Sequence, residues 1–369
     1  MIQRRQFLGA ATAAAFCLTA QNSFAAPGSA TLGWSSSVIQ TVRHGNLKRK
    51  PVVTGVSLQR NGSLLAIVGD DHYISLYDIR SQQFVAHLKK HTDWVRSAKF
   101  SPDSTALFTC ANDHRLVRWE TDQLNKPTFS IQRKDAIIEL AISNDSEKVA
   151  TVGFNGDLVI HDAATGLPME RLKCPCNDNH AVAFSADGKM IAAGGRCGTI
   201  RVWDVESGRK KHEMKSHRRR IRTLEFTSDG NLISAGDDQI VKVNNLASDL
   251  LSVALPRQGT KLFAVKTIAP SVIATSGSDN KIHIWNTQRS SEIGVLSQHT
   301  GTVTSLDYAQ DVLVSGSFDT TVRIWTPDPD ELAAAAPSVA PQFVNPVILP
   351  SASATRPAST KTNAWSTRR

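Results

Sequence analysis

The chain has 369 residues, a formal net charge of +9 and five cysteines. This length is enough for one large domain with tails, and the positive charge favours acidic partners such as acidic proteins or anionic lipid headgroups. The sequence has no motif for covalent haem, no phosphate-binding glycine loop and no Gly-x-Ser-x-Gly nucleophile turn, so these enzyme and cofactor classes are excluded and no cofactor is predicted.

Residues 1–26 have the order of features expected of a cleavable export signal. The pair Arg4-Arg5 lies in a segment that resembles the twin-arginine motif, an Ala-rich apolar stretch runs to about Ala20, and Ser23-Phe24-Ala25 has the composition of a cleavage site. The apolar stretch is too short to span a bilayer as a permanent helix. We therefore expect export to the periplasm or another extracytoplasmic location, leaving a mature chain of charge +7 because Arg4 and Arg5 are removed.

The rest of the chain is dominated by a repeat. Residues 27–37 are predicted to be a linker, residues 38–42 are strand-like, and from there a Trp or a substitute closes a short apolar run every 40 to 42 residues. The run alternates with period two and is rich in β-branched residues, as in residues 199–203, which indicates a strand. The seven markers are Tyr77, Trp119, His161, Trp203, Asn244, Trp285 and Trp325.

Three further positions recur in each repeat. Together with the marker they indicate four short strands, and the fourth strand follows the marker, as in residues 83–88. Ten residues before the marker stand Ile67, Thr109, Thr151, Ala193, Ser234, Thr275 and Ser315. Six residues before it, in a turn composition, stand Asp71, Asp113, Asn155, Cys197, Asp238, Asp279 and Asp319. The first strand of each repeat is predicted to end at Leu58, Phe100, Ile142, Phe184, Phe226, Ile268 and Tyr308.

This repeat resembles that of the WD-repeat β-propellers. Trp203-Asp204 keeps the Trp-Asp pair, and Lys90-His91, Ser216-His217 and Gln298-His299 keep the family's His without its preceding Gly. The resemblance covers residues 38–326 and implies an all-β, seven-bladed β-propeller of four-stranded blades. It also implies that residues 38–42 pair with residues 321–325 as the outer strand of the last blade, so that deleting them would weaken the whole ring.

The resemblance further implies a buried, hydrogen-bonded blade set of His, Ser or Thr, Asp and Trp. Blade 5 retains His217, Ser234 and Asp238 but has Asn244 for Trp, blade 6 lacks the His, and blades 3 and 4 depart furthest. Because a buried Asp must accept hydrogen bonds, we interpret these sets as structural rather than catalytic, and the chain is predicted not to be an enzyme. The complete sets are His91, Thr109, Asp113 and Trp119 in blade 2, and His299, Ser315, Asp319 and Trp325 in blade 7.

Blade 4 carries cysteines at two positions of the set. Cys197 replaces the turn Asp, and Cys176 lies 27 residues before Trp203, where sibling blades have the His. We hypothesise a Cys176–Cys197 disulfide, with Cys174 as the second choice of partner, in an oxidising compartment. The alternatives are free thiols or a metal site made of Cys174, Cys176, Cys197 and His180, for which a Cys-x-Cys pair is poor zinc spacing. Cys110 is predicted to be a buried strand residue.

The positive charge is concentrated around blades 4 and 5. Arg209 to His212 and Lys215 fall in the predicted outer strand of blade 4, and a second basic group leads into blade 5. In the resembling family such loops lie, with the turn Asp residues, on the ring face most used for binding. The alternative is a solvated loop that keeps the ring soluble. The candidate binding face consists of Trp94, Arg96, Arg196, Arg218, Arg219, Arg220 and Arg222.

Residues 327–369 are rich in Ala, Pro, Ser and Thr and are predicted to be a disordered tail, in which residues 343–349 are either a chance apolar patch or a docking peptide. The sequence as a whole favours a monomeric, non-enzymatic scaffold, exported to the periplasm or cell surface, that binds protein partners of acidic character. Nucleic acid and metal are not expected. The alternatives are an exported enzyme or redox or cofactor carrier that uses the central channel, and a cytoplasmic WD-repeat scaffold.

Overall fold

The structure, a computed structural model, describes residues 33–44, 48–154, 156–174, 176–247, 252–330 and 332. The predicted signal, the first part of the predicted linker, Asn155 and most of the predicted tail lie outside the described residues. The named elements of the described chain are 28 strands, which form seven four-stranded antiparallel sheets. The prediction of a seven-bladed β-propeller is therefore confirmed.

The strands follow one another blade by blade along the chain. The chain begins with β1 (Trp34–Gln40), and blade 1 consists of β2 (Val53–Leu58), β3 (Leu64–Gly69), β4 (Tyr73–Asp78) and β5 (Gln83–Lys89). Blades 2 and 3 consist of β6 (Val95–Phe100), β7 (Ala106–Ala111), β8 (Arg115–Glu120), β9 (Phe129–Gln132), β10 (Ile137–Ile142), β11 (Lys148–Gly153), β12 (Leu158–Asp162) and β13 (Pro168–Leu172). Blades 4 and 5 consist of β14 (Asn179–Phe184), β15 (Met190–Gly195), β16 (Thr199–Asp204), β17 (Lys210–Lys215), β18 (Ile221–Phe226), β19 (Asn231–Gly236), β20 (Val241–Asn245) and β21 (Ser252–Ala254). Blades 6 and 7 consist of β22 (Leu262–Ala269), β23 (Val272–Gly277), β24 (Ile282–Asn286), β25 (Ser291–Leu296), β26 (Val303–Ala309), β27 (Val312–Ser317) and β28 (Thr321–Pro327).

The ring is closed by β1, which pairs antiparallel with β28 and completes blade 7. The pairing aligns Val38 with Arg323, as the resemblance implied, but the predicted bounds were wrong. The strand runs from Trp34 to Gln40 rather than from residue 38 to 42, because its pairing begins opposite Pro327. Residues 34–37 are therefore strand and not linker. Pro327 belongs to β28 and Leu332 is buried, so the described start of the predicted tail packs on the ring.

Burial follows the position of each strand within its blade. The second strand is covered on both faces by neighbouring blades, and every residue of β7 is buried. The fourth strand faces solvent, and β13 has four exposed residues in succession. Apolar side chains of adjacent blades meet in successive clusters, one of which joins Val53 and Val56 of blade 1 to Val314 and Val322 of blade 7. The hydrophobic core is therefore a continuous layer between blades.

The first strands are linked to one another around the channel. Phe100 N–H donates to Ser57 Oγ (3.1 Å) across blades 1 and 2, and Val56 N–H donates to Ser305 Oγ (3.1 Å) across blades 1 and 7. In blade 6 a bulge between Thr267 and Ala269 adds one residue. Thr267 therefore lies opposite Ile273, in the position that the sequence pattern predicted for Ile268.

Candidate functional site

The blade set is complete in blades 2 and 7. In blade 7, His299 Nδ1–H donates to Asp319 (2.8 Å), Ser315 Oγ–H donates to His299 Nε2 (2.7 Å), and Trp325 Nε1–H donates to Ser315 Oγ (2.8 Å). In blade 2, His91 bonds Asp113 at 3.0 Å and Thr109 at 2.9 Å, and Trp119 donates to Thr109 (3.3 Å). The structure thus brings together the residues of both predicted sets.

The electrostatics of these sets favour a structural role. Burial raises the pKa of Asp319, but hydrogen bonds from His299 and Thr321 outweigh burial and lower the pKa below its usual value. The carboxylate is thus ionised and fully engaged by donors. The hydroxyl-bearing residues Thr109 and Ser315 have no solvent exposure, so no substrate could reach them as nucleophiles.

Blade 5 retains the set without its Trp. His217 Nδ1 lies 3.0 Å from Asp238, and Ser234 Oγ lies 2.8 Å from His217 Nε2. Asn244 takes the place of the indole, and its Nδ2 donates to Leu232 O (3.0 Å) and, at 3.4 Å, to Ser234 Oγ. An amide therefore supplies the N–H that Trp supplies elsewhere.

In blades 1 and 6 the place of the His is taken by residues that the sequence pattern did not predict. In blade 1, His44 Nδ1–H donates to Asp71 (2.8 Å), but His44 lies 33 residues before Tyr77, outside the spacing of 26 to 28 used for the other blades. In blade 6, Thr275 Oγ1–H donates to Gln258 Oε1 (2.8 Å). Gln258 lies 27 residues before Trp285, so the spacing held the signal, but the residue type did not match.

Blade 3 replaces the His by Arg133 and the Trp by His161. Arg133 Nη1–H donates to Thr151 Oγ1 (2.7 Å), and that hydroxyl in turn donates to His161 Nε2 (3.1 Å). His161 Nδ1–H donates to Gly166 O (3.0 Å). Burial lowers the pKa of His161 to about 4, so its ring is neutral near pH 7. The turn position of this set, Asn155, lies outside the described residues.

In blade 4 the structure joins Cys176 to Cys197 in a disulfide, with Cα atoms 5.7 Å apart. The bond lies where sibling blades have the His–Asp hydrogen bond, and it ties the turn after β15 to the loop that leads into β14. The alternative metal site is wrong, because two of its thiols are consumed and His180 lies 2.8 Å from Asp178 instead. Cys110 is buried, as expected, and burial raises the pKa of the free thiol Cys174 to about 12.

Loss of this disulfide should destabilise the ring. The bond closes a loop with a sequence separation of 21 residues, and the chain-entropy relation for a loop of that size gives a loss of roughly 3 kcal/mol. We expect the double variant Cys176→Ser/Cys197→Ser to have a lower Tm than the native chain and to be insensitive to reductant. Cys174→Ser is the matched control and should remain reductant-sensitive. Equal Tm values with and without reductant for the native chain, or more than two titratable thiols in the denatured, unreduced mature chain, would contradict the bond.

The arginines of the predicted binding face are of two kinds: some bind other side chains of the ring, and others have no side-chain partner among the described residues. Arg222 binds Asp237 through Nε (2.9 Å) and Nη2 (3.2 Å), and its guanidinium lies over the ring of Phe263. Arg220 binds Asp178 (2.9 Å). Arg96 donates to Asn112 Oδ1 (2.7 Å) and packs on the Trp94 ring. These three arginines hold neighbouring segments in place and are therefore less available to a partner than their sequence positions suggested.

Arg196, Arg218 and Arg219 form what we call the basic patch. All three are exposed, and among the described residues none has a side-chain hydrogen bond or ion pair. The turn carrying Arg196 and the loop carrying the other two lie against each other, since His217 N–H donates to Gly198 O (2.9 Å). Gly198 has a φ of +70°, and a Cβ there would lie 2.2 Å from His217 O, so only glycine permits this approach. The two segments that carry the patch are thus in direct backbone contact.

Exposed aromatic rings lie at the same end of the blades as the basic patch. Trp94 is 38% exposed, and Phe154 (37%) and Phe318 (43%) directly precede the turn position of blades 3 and 7. The repeat pattern did not predict the two phenylalanines, because it concerns the turn position and not the residue before it. In blade 4 this preceding residue is Arg196. Exposed aromatic and arginine side chains are the types enriched in protein–protein contacts.

The central channel holds a cavity of about 380 Å³ in which three charged side chains bind one another. Lys266 Nζ lies 3.4 Å from Glu225 Oε1 and 3.3 Å from Asp307 Oδ1. Asp307 also accepts from Leu58 N–H (2.9 Å), so these groups connect blades 5, 6, 7 and 1. The carboxylates, with Glu225 foremost, raise the pKa of Lys266, so its amine stays protonated and is not a nucleophile near pH 7.

Four segments match the family described as WD domain, G-beta repeat: residues 82–120, 176–204, 208–245 and 290–326. The chain is 25% identical to apoptotic protease-activating factor 1 of Mus musculus over 270 residues, which are 71% of this chain and 17% of that protein. It is 29% identical over 104 residues to the WD repeat-containing protein 91 homolog of Dictyostelium discoideum, covering 28% of this chain and 13% of the relative. It is 22% identical over 112 residues to the WD repeat-containing protein 89 homolog of the same organism, covering 30% of each.

The chain thus spans less than a third of the length of each of these relatives. In the part of the chain that the structure describes, no helix has the length and apolar character needed to cross a membrane. The matched segments cover strands of blades 2, 4, 5 and 7 and the outer strands of blades 1 and 6, and they agree with the strand order described above. The matched repeats, the WD-repeat relatives and the seven four-stranded blades together support a WD-repeat β-propeller family for this chain.

Proposed function

We propose that this chain is a non-enzymatic scaffold that binds an acidic protein partner through the basic patch of Arg196, Arg218 and Arg219. The observation that carries the proposal is the contrast among the arginines of one face: Arg96, Arg220 and Arg222 are engaged internally, whereas the patch arginines are exposed and have no side-chain partner among the described residues. Three adjacent cations attract carboxylates on a partner and accelerate encounter with it.

The exposed aromatic rings at this end of the ring extend the surface beyond charge alone. Trp94, Phe154 and Phe318 offer apolar area of the kind that contributes most to binding affinity, while the patch supplies orientation. The WD-repeat relatives support an interaction role in general, and nothing in their names identifies a partner for this chain. Lys266, Glu225 and Asp307 of the channel bind one another, so these three groups do not support the alternative of a channel enzyme or cofactor carrier.

We further propose that the scaffold acts outside the cytoplasm, in the periplasm or at the cell surface. Two observations support this location: the twin-arginine-type features of residues 1–26, and the Cys176–Cys197 disulfide, a bond that persists mainly in oxidising compartments. Sequencing the N-terminus of the chain recovered from the envelope fraction tests the proposal. A mature start near residue 27 is expected, whereas full-length chain confined to the cytoplasm would favour the cytoplasmic alternative.

Reversing the charge of the basic patch should abolish partner binding without unfolding the ring. With the mature chain as bait for the envelope fraction, the triple variant Arg196→Glu/Arg218→Glu/Arg219→Glu should lower capture of the partner at least about tenfold. Native capture should also weaken as salt is raised, because exposed charges are screened.

The matched control reverses three exposed cations in turns that follow the third strands, at the other end of the blades: Arg80, Lys126 and Arg289. It imposes the same change of net charge and should leave capture unchanged. Capture that is equal for the patch variant and the native chain would refute the proposed surface. An equal loss in both triple variants would show that net charge, and not the patch, governs binding.

A further inference from the structure

Blade 3 contains a second cavity, of about 360 Å³, at a place where the blade set has been replaced. It is lined by β9 of blade 2, by β12 and β13 of blade 3, and by the loop from Arg133 to Asp135. The indole of sibling blades is replaced here by His161, whose ring is smaller, so the exchange leaves unfilled space. Blade 3 also lies outside the four segments that match the WD-repeat family, which is consistent with its departure from the repeat.

Arg133 lines this cavity and lacks a carboxylate partner. Its guanidinium donates to Thr151 O (3.0 Å), Thr151 Oγ1 (2.7 Å) and Asp157 O (2.9 Å), all of them uncharged oxygens. Its Nε–H and one Nη2 hydrogen have no acceptor among the described residues. By contrast, Arg222 uses its Nε and Nη2 to bind the carboxylate of Asp237. A partly buried cation that has only neutral acceptors is stabilised by an anion that reaches its remaining donors.

The charges around Arg133 leave its own charge uncompensated. Arg171 and Lys134 line the same cavity, as do Asp135 and Asp157, and among the described residues Arg133 forms no ion pair with either acid. Burial lowers the pKa of Arg133, the positive charge of Arg171 lowers it further, and Asp135 opposes this effect. His161 adds no charge near pH 7. An anion between the two guanidinium groups would relieve their repulsion.

Part of the remaining wall is apolar. Ile131 and Val159 line the cavity, as does Leu167, which is 63% exposed and is the most exposed large apolar side chain in the described chain. A pocket lined by both cations and aliphatic side chains suits a ligand with a charged end and an apolar body. The planar guanidinium, with donors left on adjacent nitrogens, matches the two oxygens of a carboxylate.

We propose that the blade-3 pocket is a binding site for a compact organic carboxylate, held by Arg133 and Arg171 with its apolar body against Ile131 and Leu167. The volume is sufficient for a ligand of the size of an aromatic or short aliphatic acid. This site is separate from the basic patch and does not depend on the proposed scaffold function. It reuses the space and the donor position that a complete blade set would fill.

Benzoate is a suitable probe because benzamide has the same shape without the charge. Titration of the native full chain should show benzoate binding with a Kd on the order of millimolar or tighter, and benzamide binding at least about tenfold weaker. In the same titration, the Nε–H NMR signal of Arg133 should shift on addition of benzoate. Equal binding of the two probes, or no shift of this signal at about 10 mM benzoate, would overturn the proposal.

Two variants test the site independently. Arg133→Gln removes the cation and should weaken benzoate binding at least about tenfold, whereas the exposed Arg209→Gln, with the same change of charge, should not. His161→Trp restores the marker residue, keeps Arg133 and fills the cavity, so a folded His161→Trp chain should also lose benzoate binding. Circular dichroism confirms folding of each variant. Retention of native benzoate affinity by a folded His161→Trp chain would refute the pocket even if Arg133→Gln failed to fold.

Discussion

Replacement of Ile39 by Asp is expected to lower the free energy of unfolding by roughly 4 kcal/mol or more. Ile39 is 5% exposed and packs in the cluster that contains Val53 of blade 1 and Val322 of blade 7. A carboxylate there would be buried without a partner. Because β1 is the strand that completes blade 7, its loss also exposes the edge of β28.

The neighbouring residue of the same strand gives the control. Val38 is 48% exposed, since successive side chains of a strand point to opposite faces, and Val38→Asp should cost about 1 kcal/mol or less. Urea denaturation followed by tryptophan fluorescence measures both values. Similar midpoints for the two variants would mean that β1 does not contribute to closure of the ring.

Replacement of Asp319 by Ala is expected to cost about 3 to 5 kcal/mol. Asp319 accepts hydrogen bonds from His299 Nδ1–H, Thr300 N–H, Thr321 N–H and Thr321 Oγ1–H, at distances of 2.6 to 2.9 Å. Alanine leaves all of these donors in a site where the carboxylate is only 7% exposed. The measured quantity is again the free energy of unfolding.

Asp279 occupies the equivalent turn of blade 6 and provides the comparison. Its carboxylate is 28% exposed and accepts from His283 (2.8 Å) and, at 3.3 Å, from Lys281 N–H. Asp279→Ala should therefore lower the free energy of unfolding by about 1 kcal/mol, since the donors left without the carboxylate can bond to water. If Asp279→Ala lowered the free energy of unfolding as much as Asp319→Ala, the complete set of blade 7 would not be more stabilising than the set of blade 6.

The recurring marker predicted the number of blades and most strand positions, because a repeated spacing reflects a repeated hydrogen-bonded sheet. It failed where the local geometry departs from that spacing. The bulge in β22 shifts the register by one residue, so Thr267 and not Ile268 lies opposite Ile273 in the first strand of blade 6. The closing strand begins at Trp34 because its ends are defined by a partner nearly three hundred residues away, not by the local pattern.

The sequence predicted where the candidate site lies, but not which of its arginines are free to bind a partner. Residue types at fixed spacing indicated a basic face around blades 4 and 5, and Cys176 and Cys197 at the ends of a lost hydrogen bond suggested the link that the structure contains. The pattern did not separate Arg222, which binds Asp237, from the free Arg218, because that pairing depends on the approach of two strands of one blade. Arg133 was missed although it lies 28 residues before His161, since only His and Cys were sought at that position.

The sequence by itself determined the all-β class, the sevenfold repeat and the blades with complete sets, since each follows from residue types at a regular spacing. Only the tertiary structure decided which arginines are free, which residues replace the missing members of the blade sets and where a cavity replaces an indole. These properties depend on distances between residues remote in sequence and on whether each buried donor finds an acceptor. The unmatched cation at Arg133 and the unpaired patch at Arg196, Arg218 and Arg219 are the consequences most open to experiment.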